Sequence, residues 1–281
     1  MKHTISILLL LFLVQYSLGQ VKYTAKDSLV FLEKAKLIST IEAGSNSELI
    51  QQLGASFLDT PYVEKTLEIG DTEQLVVNLQ GLDCTTYVEN VMAFGLLHKN
   101  RQNNFEAFTE NLETIRYRNG KLNGYPSRLH YFTDWIRNNE GKGLVRDITS
   151  ELGGSELAKP IDFMGTHRPL YPFLVDDKNY NAILQVEESL AQHALCILPQ
   201  EKIEANEDLI QTGDIIALAT SIKGLDVTHT GFAVRKNGRI HLMHASIQGS
   251  VRITEVPLVD YLKKIKSNIG IIVARPTLLS P

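Results

Sequence analysis

The sequence contains 281 residues, of which 43% are hydrophobic and 21% are charged, and its formal net charge is −4. This length and composition suit one globular domain with a sizeable core. The mild acidity and the lack of basic runs argue against binding to nucleic acid and against a basic helix lying on a membrane surface.

The first 19 residues have the pattern of a secretory signal peptide. Lys2 precedes an apolar run over residues 7–14, and Ser17-Leu18-Gly19 supplies small residues for cleavage. The apolar run is too short to span a bilayer, and no later stretch is a better candidate. We therefore predict a signal peptide over residues 1–19, export to the periplasm or beyond, and one folded domain over residues 20–281 with no integral membrane segment.

Two helices are predicted next, because apolar residues recur at helical spacing over residues 27–43 and 47–58. Thr60-Pro61-Tyr62 then interrupts the pattern, since a residue before proline is driven to an extended conformation. Tyr62 is either an ordinary half-buried aromatic side chain or a hydroxyl directed towards a site around Cys84.

A third helix is predicted to begin at Cys84, with apolar residues at helical spacing over residues 87–96. Asp83 is one candidate for the N-cap, and Thr86 with Glu89 three residues later is another. In either case Cys84 lies near a helix N-terminus, where free N–H groups and the helix dipole favour the thiolate. Cys84 is thus a candidate nucleophile, and a small buried structural cysteine is the alternative.

The second cysteine, Cys196, lies in the unbroken apolar run 194–198. This run predicts a buried strand or helix, and a packed core thiol is the simplest interpretation. An oxidising compartment could instead join Cys196 to Cys84. We favour the free thiols, because a disulfide would block the better-placed cysteine.

Residues 99–160 are more polar and contain two predicted helical faces. They also hold the only tryptophan, close to Arg128 and His130. Arg128 alone would be interpreted as a surface charge or an ion-pair partner. The segment that follows, up to Pro172, predicts a loop that could form the wall of a cleft. The two apolar faces comprise Phe105, Phe108, Leu112 and Ile115, and then Leu129, Phe132, Trp135 and Ile136.

The last third of the chain changes to short strand-like runs at residues 215–220, 228–235 and 239–245. Asn237-Gly238 lies between the second and third runs and favours a type I′ turn of two residues. These features predict an antiparallel hairpin.

The turn fixes which residues face each other across this hairpin. Lys236 would pair with Arg239, Ala233 with Leu242 and Val234 with His241, and continuing the pairing sets Gly231 against His244. His229 and His244 then become diagonal neighbours on one sheet face, and His241 points to the other. The small residues Gly231 and Ala233 would leave room on the histidine face for the Cys84 helix. A loop of three residues would reverse these faces.

A cysteine at a helix start, a histidine on an adjoining strand and a third polar group form a nucleophile, a base and an orienting residue. His229 would accept the thiol proton, and His244 would fix the ring of His229. Structural histidines are the common alternative. A zinc site of His229, His241 and His244 is a weaker one, because the spacing is unusual for zinc and His241 points away.

Five short motifs, in order, resemble those of the NlpC/P60 cysteine peptidases, which are papain-like hydrolases of bacterial peptidoglycan. The longer stretches 60–68, 82–89, 127–135 and 224–246 look like the DUF1460 branch of that superfamily, and this likeness covers most of the chain after the signal peptide. The motifs are Thr60-Pro61-Tyr62, Asp83-Cys84-Thr85, Gly213-Asp214-Ile215-Ile216, His229-Thr230-Gly231 and His244-Ala245-Ser246.

The resemblance implies an α+β fold with a papain-like core, in which N-terminal helices, including the nucleophile helix, pack on an antiparallel sheet. Residues 99–200 would be a helical and loop insertion that is absent from minimal members. By position, Cys84 matches the nucleophile, His229 the base, His244 the orienting residue and Tyr62 the active-site tyrosine. Thr85-Thr86 departs from the commoner Ser-Gly or Ser-Ala after the cysteine. The candidates for substrate contact are Arg128, His130, Asp83 and Thr230.

The DUF1460 branch implies an N-acetylmuramoyl-L-alanine amidase that acts on peptidoglycan fragments (muropeptides) and requires neither a metal nor a cofactor. Most NlpC/P60 relatives instead cut the γ-D-glutamyl–diaminopimelate bond within the stem peptide, so an endopeptidase with the same triad is the first alternative. A catalytically inactive binder of wall fragments is the second.

Overall fold

The computed structural model describes residues 21–279, so the predicted signal peptide lies outside the described residues. The helices are Ala25–Ile38 (α1), Asn46–Ala55 (α2), Cys84–Lys99 (α3), Phe105–Arg116 (α4), Phe132–Gly141 (α5), Phe163–Thr166 (α6), Asp177–Leu190 (α7), Gln200–Asn206 (α8) and Leu258–Leu262 (α9). The strands are Val145–Asp147 (β1), Ser155–Leu157 (β2), Leu195–Pro199 (β3), Ile215–Thr220 (β4), Val227–Lys236 (β5), Arg239–Ala245 (β6), Val251–Ile253 (β7) and Asn268–Pro276 (β8).

The strands form one antiparallel sheet in the order β2-β3-β8-β4-β5-β6-β7, and β1 pairs with β8 beside this path. β4 is the central strand, and all six of its residues are buried because helices cover both faces. The fold is therefore α+β, with helices ahead of the main strands, as the sequence predicts.

Helix α3 is the centre of the helical layer. Every residue from Thr86 to Leu97 is buried, although the spacing of its apolar residues predicts only one buried face. The difference arises because α1, α2, α4 and the sheet all pack around α3. Its buried Glu89 is neutralised by an ion pair of 2.7 Å with Arg116 on α4.

The hairpin of β5 and β6 has the predicted register. Lys236 faces Arg239, Ala233 faces Leu242 and Val234 faces His241. Asn237 and Gly238 have φ angles of 52° and 79°, which is the left-handed pair that a type I′ turn requires. The ladder ends at Phe232 and Met243.

The sheet carries a separate apolar core on each face, and α3 lies on the face opposite to the predicted one. Tyr87 of α3 packs edge-on against Phe232 with the ring centroids 5.6 Å apart, whereas Ala233 belongs to the core on the other side, under α9. A Cβ atom on Gly231 would meet Met243 and His244 of β6 rather than the helix. The prediction that Gly231 and Ala233 make room for α3 is therefore wrong, because alternation along β5 turns both residues away from the helix.

In the region between α3 and β4, the first predicted helical face belongs to α4. The second belongs to α5, except that Leu129 precedes this helix, which begins at Phe132. Cys196 lies on β3 but is only half-buried, because its strand pairs with the short outer strand β2. Both cysteines are free. Among residues 21–279, no helix has the length and apolar character needed to cross a membrane.

Candidate active site

Cys84 is the first residue of α3, and Asp83 is the N-cap. The Asp83 carboxylate accepts a hydrogen bond of 2.8 Å from the Thr86 N–H, and the Thr86 hydroxyl accepts one of 2.9 Å from the Asp83 N–H. This reciprocal capping box fixes the start of the helix and the position of Cys84. Of the two candidate caps, the structure therefore selects Asp83.

The backbone of β5 passes close to the cysteine. The N–H of Thr230 lies near enough to the sulfur of Cys84 to lower its pKa. Ala233 bonds towards β4 through its backbone, so alternation along the strand points the N–H of Thr230 away from β4, to the side of β6. Because the ladder to β6 has ended at Phe232, this N–H is free for the sulfur. Cys84 thus contacts the residue that directly follows His229.

Burial of the sulfur and the negative charge of Asp83 raise the pKa of Cys84 to about 12, against hydrogen bonds from Thr230 and Thr85 that lower it. The sequence-based expectation of a thiolate is therefore wrong for the resting protein. The helix N-terminus favours the anion, but the capping carboxylate at the same terminus opposes it. Cys84 is a neutral thiol at pH 7 and needs a base to become a nucleophile.

His229 and His244 form a direct pair, as the hairpin register predicts. Nε2 of His229 lies 2.5 Å from Nδ1 of His244, and the two rings are perpendicular at 86°. When Nε2 of His229 carries the hydrogen and donates it to Nδ1 of His244, Nδ1 of His229 is left as an acceptor. In this tautomer Nδ1 of His229 is the ring nitrogen that could accept the proton of a thiol.

Both histidines are neutral at pH 7. Burial lowers the pKa of His229 to about 4. Burial, and after it the charges of His229 and Arg252, lowers the pKa of His244 to about 3. A neutral thiol and a neutral imidazole on the adjoining strand are the protonation states that general-base catalysis starts from, since the proton then moves as the sulfur attacks.

Tyr62 lies beside the cysteine because its segment pairs with the residues just before α3. Leu82 donates its N–H to the carbonyl of Pro61 and accepts from the N–H of Val63. Burial, the charge of Cys84 and that of Asp83 raise the pKa of Tyr62 to about 12. The phenol therefore remains protonated and can donate a hydrogen bond to an anion that develops at Cys84.

Tyr261 of α9 is a neighbour of this site that sequence analysis missed. Its ring packs edge-on against His244 with the centroids 5.5 Å apart, and burial and the charge of Cys84 raise its pKa. Tyr62 and Tyr261 are thus both close enough to be influenced by the charge of the cysteine. The sequence around Tyr261 shows only a short helical pattern, so no local signal connects it to His244.

Arg128 and His130 form a second polar group. Nη2 of Arg128 lies 2.5 Å from Oε1 of Glu68, and its Nε lies 3.6 Å from Oε1 of Glu73. Nε2 of His130 contacts the carbonyl oxygen of Tyr125 at 2.9 Å, and burial, with the charge of Arg128, holds its pKa well below the ordinary value. The guanidinium is thus paired within the protein, and contact of these two residues with substrate stays a prediction.

The predicted side chains thus fall into two groups. Cys84, His229, His244 and Tyr62 come together with Asp83 and the backbone of Thr230. His241 points away and contacts the carbonyl of Thr254 at 2.8 Å through Nδ1. Residues 21–279 contain no cluster of three or more His, Cys, Asp or Glu side chains arranged to hold a metal ion. The first group contains the residue types that a nucleophile, a base and an orienting residue require.

Comparison with known proteins identifies the family. The family model of AmiA-like, N-acetylmuramoyl-L-alanine amidase-like proteins matches residues 52–271. The chain therefore belongs to this family of amidase-like enzymes. No curated protein matches the chain significantly.

Solved structures share the fold. A Bacteroides uniformis N-acetylmuramoyl-L-alanine amidase is 38% identical, with 83% of this chain and 99% of that chain covered and a TM-score of 0.79. A Bacteroides fragilis protein named as a candidate xylanase is 40% identical over 79% of this chain and 99% of that chain, with a TM-score of 0.75. The Legionella pneumophila protein LPG0564, of the DUF1460 family model, is 24% identical, with 89% of this chain and 95% of that chain covered and a TM-score of 0.65. This likeness supports the fold alone.

Proposed function

We propose that the chain is a papain-like NlpC/P60 cysteine hydrolase. It cuts the amide between N-acetylmuramic acid and L-alanine in peptidoglycan fragments. One observation carries the proposal. The sulfur of Cys84 lies close to the backbone N–H of Thr230, next to His229, and Nε2 of His229 lies 2.5 Å from Nδ1 of His244. The amidase-like family and the Bacteroides uniformis amidase support the choice of this bond.

In the first half of the reaction, Nδ1 of His229 takes the proton from the Cys84 thiol as the sulfur attacks the lactyl carbonyl carbon. The carbonyl oxygen becomes an oxyanion, and the Tyr62 hydroxyl and the N–H of Cys84 donate hydrogen bonds to it. His229 then gives its proton to the alanine nitrogen, the carbon–nitrogen bond breaks, and the stem peptide leaves with a free amine. The lactyl group stays on Cys84 as a thioester.

In the second half, His229 accepts a proton from water, and the resulting hydroxide attacks the thioester carbon. The carbon–sulfur bond breaks, the sulfur recovers the proton, and the sugar leaves with a free lactyl carboxylate. His244 holds the imidazole of His229 in one tautomer through both halves. The scheme uses only residues of the chain and water.

The remaining proposals concern the location of the enzyme, its domain organisation and its substrate contacts. Residues 1–19 direct export and are removed, the enzyme works in the periplasm or outside the cell, and residues 20–281 form one catalytic domain. Muropeptides are its partners. The insertion over residues 99–200 forms a wall of the cleft, with Arg128 and His130 as candidates for substrate contact.

Three alternatives remain as outcomes of an experiment. An endopeptidase would use the same triad on the γ-D-glutamyl–diaminopimelate bond, and an inactive binder would retain the substrate intact. A xylanase, the name of the Bacteroides fragilis relative, would need two carboxyl groups flanking a glycosidic bond. The carboxylate next to Cys84 is that of Asp83, which is engaged in capping α3.

The test is mass spectrometry of a defined muropeptide after incubation with the wild type, Cys84→Ser and Cys196→Ser. We expect a free stem peptide that begins with L-alanine from the wild type and from Cys196→Ser, and none from Cys84→Ser. A sugar still linked to a dipeptide would establish the endopeptidase instead. Equal product from Cys84→Ser would refute the cysteine mechanism, and loss of activity in a chelator would favour the zinc site.

A further inference from the structure

The strand that carries His229 contains a β-bulge immediately before the histidine. Leu218 of β4 faces His229, but the next residue, Ala219, faces Val227. Thr228 is therefore an extra residue without a partner on β4. Bulges of this kind bend a strand and change the direction of the side chains beside them.

The bulge lets two residues of one strand face opposite sides of the sheet. Val227 shares the face of Ala219 and packs against the core around α3. His229 shares the face of Leu218, which belongs to the other core. In a regular strand, residues two apart lie on the same face. Without the bulge, with Thr228 paired regularly on β4, His229 would therefore lie on the same sheet face as Val227 and would no longer face His244.

Asp226 closes the strand end at this bulge. Its carboxylate accepts a hydrogen bond of 2.7 Å from the N–H of Val227, and its carbonyl accepts one of 3.2 Å from the N–H of Thr220 on β4. The side chain is buried, with 2% of the residue exposed. These bonds tie the two strands together just beyond the irregular pairing: Val227 through the Asp226 side chain and Thr220 through the Asp226 backbone.

The same carboxylate also holds the insertion. The other oxygen of Asp226 accepts from both the N–H and the hydroxyl of Thr133, each at 2.8 Å. Thr133 is in the first turn of α5, whose own N-cap, Tyr131, makes no side-chain cap. Asp226 thus acts as a remote cap of α5. α5 follows directly after Arg128 and His130.

We propose that Asp226 is a positioning residue for the reaction, which fixes the bulged strand so that His229 faces His244 and locks the insertion wall to that strand. The inference rests on the proposed function for its meaning in catalysis. The geometry that it explains, the opposite directions of Val227 and His229, does not depend on which bond is cut.

The experiment compares Asp226→Asn with Asp214→Asn. Asp214 is also a buried aspartate, at the opposite end of β4, where it pairs with Arg275 at 2.8 Å and accepts from the N–H of Gln211. The amide of Asp226→Asn presents N–H groups to a donor, either Val227 or Thr133. Two readouts are used, the kcat and KM for a muropeptide and the rate of Cys84 alkylation by iodoacetamide relative to that of Cys196 in the same protein.

We expect Asp226→Asn to lower kcat at least tenfold more than Asp214→Asn does, with a smaller change in KM, and to change the Cys84 alkylation rate and its pH profile. Equal kcat and equal alkylation in the two variants at similar thermal stability would overturn the proposal. If Asp226→Asn does not fold, Thr133→Val, which removes one donor to Asp226, is compared with Thr133→Ser, which keeps it. Wild-type kcat and alkylation in Thr133→Val would then refute the link to α5.

The alkylation readout separates this inference from the proposed function. A wild type that releases no stem peptide, together with a changed Cys84 alkylation rate in Asp226→Asn, would refute the amidase and keep the positioning role. A wild type that releases the stem peptide, together with wild-type kcat and Cys84 alkylation in Asp226→Asn, would keep the amidase and refute the positioning role.

Discussion

Nε2 of His229 and Nδ1 of His244 lie 2.5 Å apart across two strands that are joined by a turn of two residues. The distance requires that one nitrogen carry a proton and the other not. In the proposed mechanism the two rings have different roles. His229, on the strand that passes Cys84, is the base, and His244 fixes its orientation.

We predict that His229→Gln lowers kcat by about 10²–10⁴-fold, because a glutamine cannot accept the thiol proton. His244→Gln should lower kcat less, since the base remains but its ring is no longer held. His241→Gln is the matched control on the same strand and should leave kcat close to the wild-type value. Steady-state kinetics with a muropeptide measure all three variants. An equal loss of kcat in His241→Gln and His229→Gln would contradict the assignment of His229 as the base.

Stability should decrease as the pH falls below the ordinary histidine pKa. The pKa values of His229 and His244 are lowered to about 4 and about 3, whereas in the unfolded chain they are about 6.5. Between these values the unfolded chain binds protons that the folded one does not. The free energy of unfolding therefore decreases as the pH is lowered from about 6.5 towards about 4. Above about pH 6.5 the pair makes no such contribution.

Denaturant unfolding at about pH 7 and about pH 5.5 measures this effect above the range in which most carboxylates titrate. The double variant His229→Phe and His244→Phe should lose less free energy of unfolding between the two pH values than the wild type does. An identical loss in both proteins would show that the histidines are not the cause.

Arg128→Met should destabilise the fold, because it leaves the buried carboxylate of Glu73 and the half-buried carboxylate of Glu68 without their cation. Removing one partner of a buried ion pair costs about 3–5 kcal/mol. The control is Arg146→Met, whose ion pair with Glu151 is exposed and contributes about 0–1 kcal/mol. Urea unfolding at neutral pH compares the two variants. A similar loss of unfolding free energy in both would show that the ion pairs of Arg128 do not stabilise the fold.

Gly231→Ala should disturb the histidine pair. A Cβ atom there would lie 2.5 Å from the carbonyl oxygen of Met243 and 2.8 Å from Cβ of His244, so β6 must move away. We expect a lower kcat together with a lower melting temperature. Gly141→Ala, where a Cβ meets nothing within 4 Å, is the control, and wild-type kinetics in Gly231→Ala would contradict the tight fit.

Local rules predicted the parts of the site that local geometry determines. Asn237-Gly238 fixes the turn, the turn fixes the register, and the register brings His229 near His244. The start of α3 at Cys84 follows in the same way from Asp83. These features needed only the spacing of side chains and the preferences of turns and caps.

Long-range packing decided the rest. The face on which α3 lies depends on two competing cores, and the pattern of β5 alone does not distinguish them. The bulge at Thr228 and the contact of Tyr261 with His244 arise from partners far along the chain. The pKa of Cys84 depends on the balance between a helix terminus and the carboxylate that caps it, which sequence spacing does not provide.

The most direct test of the account is to trap the acyl-enzyme. A muropeptide is mixed with the protein, the reaction is quenched in acid, and peptides are mapped by mass spectrometry. The account predicts the mass of the lactyl-linked sugar on the peptide that contains Cys84, none on the peptide with Cys196, and loss of the adduct on treatment with hydroxylamine. Release of the free stem peptide with no adduct on Cys84 at any quench time, and with undiminished activity in Cys84→Ser, would contradict it.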